Sequence, residues 1–138
     1  MNEQQRYKTR ITADDGGLNG FEIFLNEVSI DPALGSETAL KLRLVLEELF
    51  TNSISHARNS IVDISLEIGN DGVEVHYEDS SPPFNPLEHL PLHHLEKDIE
   101  DRPVGGLGCL LIVTMTSHMT YQRRGDKNLI LFTIPGSI

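Results

Sequence analysis

The stretch IVDISLEIGNDGVEVHYED, residues 61–79, sets a period of two on the chain and decides its fold class. Val62, Ile64, Leu66 and Ile68 alternate with Asp63, Ser65 and Glu67, as in a strand with one face in a core. Gly69-Asn70-Asp71-Gly72 is a hairpin signal, after which Val73, Val75 and Tyr77 restart the alternation and run into Asp79. Two antiparallel strands are expected here.

Upstream the period is helical. Leu42, Val45, Leu46, Leu49, Phe50 and Ser53 follow the i, i+3, i+4, i+7 rhythm of a buried face, with Ser36 as the expected cap and an end near Ala57. A shorter helix carries Phe21, Phe24, Leu25 and Val28 and is stopped by Asp31-Pro32. Asp14 to Asn19 reads as the loop that opens it, and Lys8 to Ala13 as a short edge strand.

Downstream, Ser80 to Val104 contains five prolines and no sustained period, a connection of a length that is usually functional or mobile rather than merely structural, and it reads as a lid. Gly105-Gly106-Leu107-Gly108 then feeds a buried helix, Leu110 to Met115. Tyr121 to Arg124, a turn at Gly125 to Asn128, and Leu129 to Ile134 form a final hairpin. This order implies an α+β two-layer sandwich, with a mixed, mostly antiparallel sheet and helices on one face. No Gly-Lys-Ser/Thr follows a strand, which excludes a P-loop.

At 138 residues one domain, 1–138, is expected. Acidic residues number 21 against 11 basic ones, and the net charge of -10 disfavours nucleic-acid phosphates. With 38% hydrophobic residues, no run suited to crossing a bilayer, a polar N-terminus and one cysteine, Cys109, a cytoplasmic protein is expected. Cys109, Met115 and Met119 read as packing residues. Pro91 interrupts the helix that His89, His93 and His94 would need to align on a metal.

Four stretches could carry chemistry. Glu48 and Asn52 are four apart on the long helix, so a carboxylate and an amide share one side, and His56 extends the row. Such oxygens suit Mg²⁺, which takes few protein ligands and keeps water or phosphate for the rest. Asp79 ends a strand before Ser80-Ser81-Pro82-Pro83-Phe84, where a carboxylate can accept a hydrogen bond from an exocyclic amine. Gly105, Gly106 and Gly108 allow backbone to approach a phosphate at a helix start, and Arg102 could add a guanidinium.

In their order and separation, Glu48-Leu-Phe-Thr-Asn52, Asp79 with Pro83-Phe84, and Arg102-Pro-Val-Gly-Gly-Leu-Gly108 resemble the anti-sigma factor serine/threonine kinases of the GHKL, or Bergerat-fold, ATPases. The likeness extends from about Thr9 to Ile134. It implies ATP and Mg²⁺ as cofactors, with Asn52 binding the metal and Asp79 reading adenine. Glu48 is then the general base, and Arg102 the arginine that contacts phosphate. His56, Ser81, Phe84, Gly105, Gly106, Leu107 and Gly108 complete the nucleotide site beneath a lid at about 80–104. The implied partners are a STAS-type anti-anti-sigma protein and a sigma factor, with a homodimer as the assembly. Ser81 stands where the family usually has glycine, and the turn Gly125-Asp-Lys-Asn128 lacks the Gly-Thr often found there. A nucleotide-dependent binding module without phosphoryl transfer and the detached ATPase part of a sensor histidine kinase are the alternative readings.

Overall fold

The computed structural model describes residues 5–89 and 114–136. In chain order these form β1 (Gln5–Thr12), α1 (Gly17–Ser29), α2 (Ser36–His56), β2 (Ile61–Gly69) and β3 (Gly72–Asp79). A 3₁₀ turn (Pro86–His89), β4 (Ser117–Arg124) and β5 (Lys127–Pro135) follow. The strands make one sheet in the order β1-β2-β3-β5-β4. Every ladder among the described residues is antiparallel, so the expected parallel component is absent there.

Alternation does the sorting. Val62, Ile64, Leu66 and Ile68 on β2, Val73, Val75 and Tyr77 on β3, and Ile130, Phe132 and Ile134 on β5 all point inward. They meet Phe21, Phe24, Leu25 and Val28 of α1 and Leu42, Val45, Leu46, Leu49 and Phe50 of α2 in a single core. Phe21 and Phe50 stack at 4.5 Å between ring centres, tying the helices together. The other face of the sheet is polar, with ion pairs Arg10–Asp63 at 2.8 Å and Lys127–Glu78 at 3.3 Å. Both helices thus lie on one side of the sheet, the two-layer α+β sandwich expected.

Several boundaries move. Gly35 has the extended N-cap backbone of α2 and Ser36 is already helical, so the expected Ser36 cap does not form. β1 starts at Gln5 and ends at Thr12; Ala13 leaves the strand but still donates its N–H to Ser60 O at 2.8 Å. β4 starts at Ser117, four residues before the expected Tyr121, with a bulge between Ser117 and Thr120 and a left-handed His118 (φ 55°) breaking its alternation. The last turn is only Gly125-Asp126, so Lys127 and Asn128 belong to β5. Gly72 opens β3 at φ 136°, with Ile134 O only 2.1 Å from where a Cβ would stand, so the β2–β3 hairpin needs glycine there. Thr114 and Met115 are helical, and Met115 and Met119 pack against the core. The rest of the Leu110–Met115 helix, Cys109, and most of the proposed lid lie outside the described residues. Among the described residues, no helix is long and apolar enough to cross a membrane.

Candidate functional site

The pairing register brings the ends of four strands into line. Val62 faces Asp79 on β3, Asp79 faces Asn128 on β5, and Asn128 faces Arg123 on β4. α2 crosses the inward side of this row, and its helical period directs Asn52 and His56, four residues apart, to the same side. Between helix and strand ends lies a cavity of about 10 Å³, room for roughly one water. Its polar wall is Asn52, Ser53, His56, Asp79, Ser81 and Asn128; Leu49, Tyr77, Phe84 and Ile130 supply the apolar part.

Asp79 is the centre of a hydrogen-bond network. Only 8% of it is exposed, so the carboxylate at this strand end is a buried one. Ser53 Oγ donates to its Oδ2 at 2.6 Å, and Ser81 Oγ donates to its Oδ1 at 2.6 Å. Asn128 Nδ2 reaches the same Oδ1 at 3.0 Å. Because the single Ser53 proton goes to Asp79, the Tyr77 hydroxyl is the donor in its 2.7 Å contact with Ser53 Oγ. Burial, with a further push from the Asp79 carboxylate, raises the Tyr77 phenol well above its ordinary pKa, although the bond to Ser53 acts the other way. Tyr77 is therefore a neutral donor at any working pH.

Asn52 makes a different kind of wall. Its side-chain nitrogen is buried yet has no hydrogen-bond partner among the described residues. An unmet buried donor costs about 1–3 kcal/mol, so such a group suits a site that a polar ligand and its waters complete. His56 and Phe84 stack at 4.1 Å between ring centres, tilted by 23°. His56 is exposed and Phe84 half-buried, so this pair is the part of the wall most able to swing aside. A ligand as large as a purine needs that movement.

The structure thus brings together five of the residues singled out from sequence: Asn52, His56, Asp79, Ser81 and Phe84. Glu48 is half-buried one turn before Asn52 on α2 and does not line the cavity. Arg102, Gly105, Gly106, Leu107 and Gly108 lie outside the described residues. Three wall residues with hydrogen-bonding side chains are not marked as such by sequence: Ser53 falls in the apolar stripe of α2, Tyr77 on the inward face of β3, and Asn128 in a turn. The signal for Asn128 was its phase, since it is two residues before Ile130 and shares the inward face with Ile130, Phe132 and Ile134.

Compared with known families, residues 12–134 match the model described as histidine kinase-like ATPase domain. No curated protein matches the chain.

Proposed function

This chain belongs to the histidine kinase-like ATPase family, and from that premise we propose that it is an ATP-dependent regulatory serine kinase of the anti-sigma type. The observation that carries the reading is the convergence of Asn52, His56 and Asp79, from α2 and β3, on one cavity. Asp79, held by three donors, has acceptor capacity left for the exocyclic amine of adenine. Asn52 would hold Mg²⁺ through its amide oxygen, while its unpartnered Nδ2 is a donor for a phosphate oxygen or a metal-bound water. When bound, MgATP supplies the transferable phosphoryl group. Glu48, one turn away, accepts the proton of a serine hydroxyl presented by a partner, and its position outside the cavity suits a group that acts on the acceptor rather than on the base. Arg102 and the Gly105 to Gly108 turn hold the phosphates on the strength of the resemblance. The partners in this reading are a STAS-type anti-anti-sigma protein carrying the serine and a sigma factor, with the chain acting as a homodimer in the cytoplasm.

Transfer of labelled γ-phosphate to such a partner tests the proposal. Glu48→Gln keeps the side-chain size and should leave MgATP affinity nearly unchanged while slowing transfer by about 10²- to 10⁴-fold. Parental transfer by the Gln variant would remove Glu48 from the mechanism. A second reading, a nucleotide-gated binding module without transfer, draws on the closed His56–Phe84 wall and the heavily bonded Asp79. It predicts ATP binding with no labelled product.

A further inference from the structure

We infer that Asn128 is the residue that sets base selection in this site, acting through Asp79; the inference rests on the nucleotide-binding reading above. Asn128 is 2% exposed, yet its amide is engaged at both ends. Nδ2 lies 3.0 Å from Asp79 Oδ1, 2.7 Å from Ser81 Oγ and 2.9 Å from the Pro82 carbonyl. Oδ1 accepts from the Phe84 N–H at 3.2 Å, from the Tyr121 hydroxyl and from Arg123 Nη1 at 3.3 Å. One buried amide therefore ties the end of β3, the loop after it, β4 and β5 to the carboxylate.

The consequence for Asp79 is directional. An ionised carboxylate offers about four lone-pair positions. Asn128 and Ser81 fill those of Oδ1, and Ser53 takes one on Oδ2. What remains is one acceptor position on Oδ2, in a wall shared with Asn52 and His56. Since Oδ1 is pinned from β5, the carboxylate cannot turn to offer another edge. A ring with an amine at this point finds an acceptor; a ring with a keto oxygen there meets lone pair against lone pair. The same amide holds the Phe84 N–H, so the residue that fixes the carboxylate also fixes the base of the movable wall.

ATP and ITP are the probes, because their rings differ at the 6-position amine or keto group and at the adjacent N1. Calorimetry with Mg²⁺ on the full chain gives the ratio of the two dissociation constants, and thermal melting checks that each variant is folded. The parent should favour ATP. Asn128→Leu frees Asp79 Oδ1 and should shrink that preference by at least about tenfold, the effect of losing one hydrogen bond to a charged group. Asn128→Asp replaces the donor on Asp79 Oδ1 with a second carboxylate that repels it, and it should likewise erode the preference for ATP. A merely structural role would weaken both nucleotides equally. Should Asn128→Leu fail to fold, Ser81→Ala removes the other donor on the same oxygen and should cost about three- to tenfold in preference. A parent that favours ATP, with folded variants that keep its ratio within twofold, overturns the inference alone. A parent that binds neither nucleotide overturns the nucleotide-binding reading together with it.

Discussion

Removing Ser53 Oγ breaks the Tyr77–Ser53–Asp79 relay at its middle, and the structure sets the size of the loss. Ser53 donates to a buried carboxylate, a bond to a charged group worth about 1.5–3 kcal/mol. Ser53→Ala also strands the hydroxyl of Tyr77, which is 1% exposed, at a cost of about 1–3 kcal/mol. Together these make about 3–5 kcal/mol, a large part of the stability of a small domain. Tyr77→Phe alone removes only the neutral bond and should cost about 1 kcal/mol. The double variant has no stranded hydroxyl, so it should lose about 2–3 kcal/mol and be more stable than Ser53→Ala by itself. Urea unfolding of the four proteins closes the cycle, with a coupling of about 2 kcal/mol. Losses that add to within about 0.5 kcal/mol would show that Tyr77 and Asp79 do not communicate through Ser53.

Three further outcomes are expected. Asn52→Ala should weaken MgATP binding by at least tenfold and abolish its Mg²⁺ dependence in calorimetry; undiminished dependence would take the metal away from Asn52. Phe84→Trp introduces the sole tryptophan of the chain, and its emission should change on ATP addition as the ring leaves His56; a flat titration would show that this wall does not move. The raised Tyr77 phenol keeps its proton in the folded chain, whereas the unfolded chain releases it near pH 10, so stability should fall as pH rises past about 10. Tyr77→Phe should flatten part of that fall in denaturation measured against pH, leaving the share from Tyr7, whose phenol is raised by its hydrogen bond to Asp31. An unaltered slope would contradict the assignment.

The sheet was legible where its period was clean. β2 and β3 alternate without interruption, and the Gly69 to Gly72 signal lies between them, so both strands and the place of Asp79 at an end followed from sequence. β4 was half hidden because a bulge at Ser117 to Thr120 breaks the period that reveals a strand. The helical row Asn52 and His56 was readable because spacing alone puts both on one side. The rest of the Asp79 network was not, because Ser53 and Asn128, 75 positions apart, reach it by helix packing and by strand pairing respectively, and each is an ordinary polar residue in its local context. Asn128 in particular resembles a turn residue until β5 is known to begin at Lys127.

The ladder between β3 and β5 joins stretches of chain on either side of residues 90–113. It pairs Gly72 with Pro135 through to Asp79 with Asn128, and Ile130, Phe132 and Ile134 seal it into the core. The covalent link is therefore not what keeps the two pieces in register. By the same logic, a chain cut within 90–113 should still reassemble from its two fragments, with Asp79 contributed by one and Asn128 by the other, making recovery of the site a direct reading of fragment complementation.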